Sequence, residues 1–483
     1  MTLNYNTKEL LGLLLFISSF LFILLAISKL NLCLNVDEAF SLMITNTTYS
    51  NTTYLTAVDV HPPLYYYILK FFTDSLSILN INPIFSGQIL SIFPPLILLI
   101  ISVTKIRKEF GWLTCGVFAI SIVSMPRFLF YATLIRMYSF AMLFVTLSFI
   151  YMYDLIKEFN IKSLVLLTIF SILASYTHYY GAISVFCIYL MLLAHYLFIS
   201  REHFIPTFIS AITCVFAYIP WLFTVFNQIN TYKGIYWIGK INFNSIVNMW
   251  IFIFSSKTTS SIIIGMLLFC CIIILIYIFI IQKKSLKDIY AFSGLKLPVL
   301  TFLIAVLISI FIMPLFSERY IFPVLGAFWL GFSILLSRNF DKKKIFVPIL
   351  IILIATSCIN TLYFVNISDC AINNYEKYDS LVFSNNDIII FDDLQMKLTF
   401  ERWFTPDCTC FSYFNDEMDY NSTINEAISN NRTVWIFYTD KGSEKEFDEN
   451  IIMQLSNHFN LVKVFDLQID PFDNFPTKIY KIE

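Results

Sequence analysis

The chain begins with a long apolar run that leads directly into two acidic residues. Residues 10–38 read LLGLLLFISSFLFILLAISKLNLCLNVDE. As a helix, residues 10–30 are long enough to cross the roughly 30 Å hydrocarbon core of a bilayer. The run is too long for the apolar part of a signal peptide, and no small-residue cleavage site follows it. We therefore expect residues 10–30 to be retained as the first membrane-spanning helix.

The composition of the whole chain agrees with a membrane protein. Of the 483 residues, 58% are hydrophobic and only 13% are charged, whereas a soluble domain carries about 25% charged residues. The apolar residues recur in runs of about 20, the length of a spanning helix. This pattern predicts a polytopic α-helical membrane protein. The net charge of −1 gives no reason to expect a nucleic-acid partner.

Apolar runs and the charges between them predict about eleven spans and their orientation. The runs are 10–30, 87–103, 112–125, 137–153, 163–176, 181–199, 204–224, 260–281, 297–316, 320–336 and 345–364. The third and fifth are short for a full crossing. Alternate connections are basic and are expected in the cytoplasm: Lys105, Arg107, Lys108, Lys157, Lys162, Lys283, Lys284, Lys287, Arg338, Lys342, Lys343 and Lys344. The N-terminus is then cytoplasmic, and the long connections 31–86 and 226–259 lie outside.

The composition changes after residue 365, so we divide the chain into a transmembrane domain, 1–365, and an extracytoplasmic domain, 366–483. Short strand-like runs at 387–391, 433–438, 461–467 and 477–482 alternate with a helical pattern at 443–459. Such alternation predicts a small α/β domain. Cys370 lies in this domain together with Cys408 and Cys410. A disulfide from Cys370 to either of the other two is one option that the sequence leaves open.

Ionisable residues that are not orientation signals come from connections predicted to be outside. They are Asp37, Glu38, Asp59, His61, Arg127, Arg136, His178 and Arg319. The predicted spans themselves contain no charged residue except Lys29, close to water at an outer end. A one-sided cluster favours a reaction centre at the outer membrane face, because a transport path places polar groups near the midplane. A lipid-linked-sugar flippase or transporter is the alternative, and a non-catalytic scaffold is a third reading.

The first outer connection contains two groups of candidate site residues. Asp37, beside Glu38, has the position of a general base that takes a proton from an acceptor hydroxyl. One carboxylate is enough when the leaving group is a phosphate, unlike the acid and base of a glycosidase. Further along, Pro62 and Pro63 stiffen the chain and hold Asp59 and His61 in place, where they would contact the acceptor or a divalent metal. Residues 64–72 are expected to be an amphipathic segment in the interface.

These residues resemble the GT-C glycosyltransferase superfamily, and within it the protein O-mannosyltransferase and aminoarabinose-transferase branch. The likeness rests on Asp37-Glu38 after the first span and on Asp59-Val60-His61-Pro62-Pro63-Leu64-Tyr65-Tyr66. Further matches follow in order: Tyr131-Ala132-Thr133-Leu134-Ile135-Arg136-Met137-Tyr138, Thr177-His178-Tyr179-Tyr180-Gly181, Pro220-Trp221, and Glu318-Arg319-Tyr320 with Pro323. The resemblance covers residues 10 to about 336.

The resemblance implies an integral membrane enzyme that moves a sugar from a polyprenyl- or dolichyl-phosphate donor to an acceptor. Mannose is one candidate sugar, and the acceptor is a protein, a glycolipid or a cell-envelope glycan. Asp37 would be the catalytic base. Arg136, His178, Arg319 and Tyr320 would hold the donor phosphate. One feature departs from many relatives: Thr133-Leu134-Ile135 stands where they have an acidic residue before the Arg-Met-Tyr segment.

Each candidate also has an ordinary explanation. Asp37 and Glu38 would cap and solubilise a span end, and Arg136 would reach the interface as an anchor. His178 would be a packed, hydrogen-bonded histidine, and Arg319 would pair with Glu318. Which description holds depends on whether these residues meet in space.

Overall fold

A computed structural model describes most of the chain. It covers residues 2–30, 34, 36–233, 238–256, 258–379, 383, 384, 386–391, 397, 408–412, 420–439, 452, 455–467 and 477–482. The helices are α1 Thr2–Ile27, α2 Val36–Thr45, α3 Tyr49–Val58, α4 Leu64–Ser77, α5 Pro83–Ile101, α6 Arg107–Phe110, α7 Trp112–Val123, α8 Phe128–Thr133, α9 Tyr138–Lys157, α10 Ile161–Thr177, α11 Tyr179–Phe198, α12 Phe204–Tyr232, α13 Phe243–Phe254, α14 Thr259–Ile281, α15 Leu286–Phe311, α16 Leu325–Arg338, α17 Lys343–Asp379 and α18 Tyr420–Ser429.

The helices confirm a multi-pass membrane protein. Among the described residues, nine helical segments are long and apolar enough to cross a bilayer. The helices at the third and fifth predicted spans, α7 and α10, are apolar but shorter. The count of eleven spans depends on these two helices and stays a prediction.

Helix α15 begins well before the span that the sequence predicts. The sequence pattern begins that span at residue 297, but α15 begins at Leu286 and so includes Asp288 and Lys296. Asp288 is almost completely buried. It forms an ion pair with Arg338 of α16 and accepts hydrogen bonds from Ser285. The predicted span 297–316 itself contains no charged residue, and both charged residues lie in the part of α15 that precedes it. A paired and hydrogen-bonded carboxylate is tolerated near a helix end.

The chain divides into two compact units. The first comprises Met1–Ser28, Thr48–Ser75 and Ser86–Phe364, and the second comprises Lys29–Thr47, Leu76–Phe85 and Val365–Glu483. The segment with Asp37 therefore belongs to the same unit as the C-terminal sheet. Within this second unit, Lys29 Nζ lies 2.5 Å from Asp369 Oδ1 of α17, so an ion pair joins the beginning of the first connection to the last long helix.

The C-terminal region contains the small α/β domain that the sequence predicts. Five strands form one sheet in the order β2-β1-β3-β5-β4. β1 pairs in parallel with β2 and β3, whereas β5 is antiparallel to β3 and β4. Ile424 and Ala427 of α18 join the core of the sheet. The strands are β1 Ile388–Phe391, β2 Thr409–Ser412, β3 Val434–Thr439, β4 Leu461–Leu467 and β5 Thr477–Ile482.

One strand was not expected from the sequence. β2 has four residues and includes buried Cys410, and its Thr, Cys and Ser residues give no apolar alternation. The predicted helix 443–459 lies largely outside the described residues.

Helix α9 sets the distance between the two polar ends of the first unit. Its 20 residues measure about 30 Å at 1.5 Å per residue, the thickness of a bilayer core. At the Lys157 end, Lys157 pairs with Glu109 at 2.7 Å and Asp154 pairs with Lys105 at 2.5 Å. At the other end, Tyr138 lies beside His178. The basic cluster and the candidate site therefore lie a membrane thickness apart.

Helices α1 and α7 cross at two glycines. A Cβ built on Gly116 would overlap the carbonyl of Gly12, and a Cβ on Gly12 would overlap the backbone at Trp112. This backbone contact requires residues without side chains, as at small-residue helix crossings in membranes.

We expect Gly116→Ala to lower the free energy of unfolding by about 2 kcal/mol, because the added methyl group forces the two backbones apart. Gly239→Ala is the matched control, since a Cβ there has no atom within 4 Å. Thermal and denaturant unfolding in detergent would measure both variants. Equal stability of the two would contradict the close packing.

Candidate active site

His178 occupies the corner between two helices. It follows the last residue of α10 and precedes the first residue of α11, with extended backbone. Its Nδ1 accepts a hydrogen bond from the backbone N–H of Tyr180 at 3.0 Å, and so caps α11. A Cβ on Gly181 would overlap the carbonyl of Ala174. The glycine therefore lets α11 turn back tightly against α10 and buries the histidine.

Aromatic rings from three other connections surround His178. The ring centroid of Tyr320 lies 5.1 Å away, that of Tyr138 5.6 Å and that of His61 6.5 Å. Three residues predicted from distant parts of the sequence, His61, His178 and Tyr320, are thus brought together. His178 is buried, as expected of a packed histidine, but its neighbours include two other candidate residues, His61 and Tyr320.

Arg136 lies in the bend between α8 and α9 with only 4% of its surface exposed. Its Nη1 donates to the hydroxyl oxygen of Tyr66 at 3.3 Å, and Tyr66 donates to Asp59 Oδ2 at 3.4 Å. A tyrosine thus connects the guanidinium to the carboxylate. Arg136 is therefore not an exposed interface anchor.

Asp59 and His61 form a hydrogen-bonded pair. The Nδ1 of His61 lies 2.8 Å from the Asp59 carbonyl oxygen and 2.9 Å from Asp59 Oδ2. Both oxygens are acceptors, so Nδ1 carries a hydrogen. The aspartate thereby fixes the orientation of the imidazole ring, with Nε2 on the opposite side of the ring from Asp59. A carboxylate that orients a histidine in this way is common in acid–base catalysis.

His178 is neutral for two independent reasons. Its Nδ1 accepts a hydrogen bond, so the ring hydrogen lies on Nε2. Burial lowers the pKa of His178 well below its ordinary value, and the nearby His61, Arg136 and Arg319 lower it further. Both arginines thus contribute to the same electrostatic effect on the His178 ring. The site therefore combines two permanent positive charges with a neutral N–H donor.

Asp37 and Glu38 lie in the first turn of α2. Glu38 is 5% exposed and Asp37 is half-buried. Both carboxyl groups therefore lie at the positive end of the helix macrodipole. Both residues belong to the second compact unit. Their approach to Arg136 and Arg319 stays a prediction.

The predicted metal ligands are engaged with each other. Asp59 Oδ2 is bonded to His61, and among the described residues no group of three or more His, Cys, Asp or Glu side chains is arranged to hold a metal ion. A divalent metal at Asp59 and His61 stays a prediction, and we derive no chemical step from it.

A mostly apolar cavity of about 500 Å³ adjoins the site. It lies between the start of α4 and the helices α10 and α12. Pro63 and Leu64, directly after the His61 loop, form part of its wall. The full lining is Thr53, Pro63, Leu64, Tyr67, Ile172, Leu173, Tyr176, Pro220, Trp221 and Thr224.

Several residues of the site were quoted in the sequence motifs without a role. Tyr66 links Arg136 to Asp59, Tyr138 packs on His178, and Tyr180 donates to the carbonyl of Leu315 at 3.0 Å. Each of these tyrosines could have been found from the sequence, because it lies in the same motif as a candidate residue. Gln228 had no such signal, because it lies outside the quoted motifs, seven residues after Trp221 in α12.

The fold has counterparts among solved structures. The apo structure of ArnT from Cupriavidus metallidurans matches with a TM-score of 0.58 and 10% sequence identity, over 97% of both chains. The chain has the GT-C fold of ArnT. A second ArnT structure from the same organism, bound to undecaprenyl phosphate, matches with a TM-score of 0.53 and 9% identity, again over 97% of both chains. No family model and no curated protein sequence matches the chain.

The match confirms the expected GT-C fold and extends the resemblance beyond residue 336. ArnT and this chain align over almost their full lengths, so the similarity includes the C-terminal sheet region. At this level of identity, the comparison with ArnT describes the fold and does not assign roles to side chains.

The lowered pKa of His178 predicts a pH-dependent stability. Below about pH 6.5, the ordinary histidine pKa, the unfolded chain binds a proton that the folded site excludes, so stability falls as pH decreases. His178→Asn removes this titration, while asparagine still caps α11. We expect a shallower loss of melting temperature between pH 7.5 and about 5 in the variant. Identical slopes would contradict a neutral buried His178.

Proposed function

We propose that this protein is an inverting glycosyltransferase that transfers a sugar from a polyprenyl-phosphate donor. The observation that carries the proposal is the contact of His178 with the rings of His61 and Tyr320. The same His61 loop is joined to buried Arg136 through Tyr66 and Asp59. Its fold is that of ArnT, one structure of which binds undecaprenyl phosphate. By the positive-inside pattern, this end faces away from the cytoplasm.

The positive groups suit a phosphate at headgroup depth. When the bond between the anomeric carbon and the phosphate oxygen breaks, the electron pair stays on the phosphate. Arg136 and Arg319 would stabilise this charge, and fixed positive groups at a developing charge are usually a large catalytic term. The Nε2–H of neutral His178 would donate a further hydrogen bond. Tyr320, stacked edge-on against His178, would shape the same pocket.

The apolar cavity suits the hydrocarbon part of the same donor. Its wall includes Ile172, Leu173 and Trp221, and it begins at Pro63 next to His61. A lipid that places its phosphate beside Arg136 would place its first isoprene units in apolar surroundings of this kind. Burial of these units adds about 25 cal/mol per Å² of apolar area.

Asp37 is the proposed base, with Glu38 beside it. The acceptor oxygen attacks the anomeric carbon from the face opposite the phosphate, and its proton moves to the Asp37 carboxylate. One bond forms and one breaks at the same carbon, so the anomeric configuration inverts. Asp59 and His61 would contact the acceptor. A protein hydroxyl, a glycolipid and a cell-envelope glycan are the candidate acceptors, and the sugar is a hexose, such as mannose, or a pentose.

The experiment that tests the function is product analysis. Purified protein would be mixed with isotope-labelled polyprenyl-phosphate sugars and each acceptor class, and the products would be identified by mass spectrometry. We expect a labelled sugar on one acceptor class with inverted configuration. Movement of intact labelled donor across vesicles without a product would instead support a flippase.

Asp37→Asn should lower the turnover number at least about 100-fold, because the amide cannot accept the acceptor proton. Asp74→Asn is the matched control on exposed Asp74 of α4, which pairs with Lys70, and should keep activity within about twofold. Turnover of labelled donor would be measured for both. Full activity of Asp37→Asn would refute the base assignment.

Arg136→Gln should raise the KM for the donor and lower turnover about 100-fold, since loss of one charge-stabilising donor typically has this effect. The control Arg201→Gln makes the same substitution at an exposed residue and should leave both constants unchanged. A variant of Arg136 with normal KM and turnover would show that the phosphate binds elsewhere.

A further inference from the structure

The turn between Asp59 and His61 contains a strained residue. Val60 has φ of 62°, in the left-handed region that β-branched side chains rarely adopt. Among the described residues, only Val60, Asn80 and Asn431 combine positive φ with a side chain, and asparagine tolerates this region well. Such strain persists only where neighbouring contacts hold the backbone in place.

Two side chains of α12 hold the backbone just before this turn. The Nε2 of Gln228 donates to the carbonyl of Ala57 at 2.6 Å, and the hydroxyl of Tyr232 donates to the carbonyl of Val58 at 2.7 Å. Gln228 is only 5% exposed. Because a buried amide is costly to leave without partners, these bonds keep the carboxyl end of α3 against α12.

The other end of the Gln228 amide reaches the His178 side of the site. Its Oε1 accepts from the hydroxyl of Tyr179 at 2.5 Å, and that hydroxyl accepts from Trp221 Nε1 at 3.2 Å. Tyr179 directly follows His178, and Ala57 lies two residues before Asp59. One side chain thus bonds to the backbone just before the His61 turn and to the side-chain hydroxyl of the residue that follows His178.

We propose that Gln228 is a positioning residue that holds the strained turn of Asp59, Val60 and His61 against His178. Its amide nitrogen donates to one segment and its amide oxygen accepts from the other. Gln228 therefore fixes the distance between the His61 turn and the residues that follow His178. Without it, the turn relaxes to negative φ at Val60 and His61 moves away from His178. The consequence for catalysis rests on the proposed transferase function, whereas the effect on the turn does not.

The test replaces Gln228 with methionine, which has a similar shape but makes neither hydrogen bond. Hydrogen exchange, followed by mass spectrometry on the full-length protein, would report on residues 56–62. There the amides of Asp59 and His61 donate to Leu55 and Thr56. We expect faster exchange in Gln228→Met, and about tenfold lower turnover, because small displacements of reacting groups are costly.

Val60→Gly distinguishes positioning from a general loss of packing. Glycine adopts positive φ without steric cost, so adding Val60→Gly to Gln228→Met should recover turnover about fivefold. A purely structural defect would not be rescued by a change at residue 60. Asn227→Leu on the exposed side of α12 is the control and should match the wild type in exchange and turnover.

The outcomes separate this proposal from the transferase assignment. Wild-type exchange of residues 56–62 in Gln228→Met overturns the positioning proposal, and so does unrescued turnover in the double variant of an active enzyme. If the wild-type protein transfers no sugar from any donor, the proposed function fails, and the exchange comparison alone decides the role of Gln228.

Discussion

A buried guanidinium has to be hydrogen-bonded and electrically balanced, and the arrangement of the first unit follows from this requirement at Arg136. Its contact with Tyr66 connects the bend between α8 and α9 to the first connection, and Tyr66 in turn donates to Asp59. Asp59 then orients His61. Removing charges from water costs several kcal/mol per ion unless partners are present, so this chain of contacts requires the first connection and the bend between α8 and α9 to meet.

The same electrostatic setting explains the state of His178. Permanent positive charges nearby and the exclusion of water both oppose a proton on its ring, and the capping bond from Tyr180 occupies its Nδ1. The result is an uncharged hydrogen-bond donor beside two arginines. This combination suits a ligand that brings its own negative charge, because such a ligand balances the arginines without competing with a histidinium.

The candidate base and the residues around His178 belong to different compact units. Asp37 lies in the compact unit that contains the C-terminal sheet, and within that unit the ion pair of Lys29 with Asp369 ties the first connection to α17. The Asp37 segment and the C-terminal sheet are therefore parts of one compact unit.

The sequence by itself determined the class of protein, most of the helices and the identity of the polar residues at one end of them. Spans of about 20 apolar residues are a local signal, since bilayer thickness and helix rise determine their length directly. The basic connections between them are local as well. The motif around Asp59 and His61 was equally local. Arg136, His178 and Arg319 could be named because they are polar residues that interrupt apolar sequence.

Only the tertiary structure decided how these residues are joined. The Tyr66 bridge, the neutral state of His178 and the Gln228 contact depend on side chains far apart in sequence, and nothing in local composition encodes which carbonyl an amide will reach. The positive φ of Val60 was likewise hidden, because a valine predicts extended backbone. Strand β2 was missed for a related reason: its four residues pair through backbone hydrogen bonds with β1, and such pairing needs no apolar pattern. Contacts between residues far apart in sequence thus determined these features, because the periodicity of the sequence carries only local information.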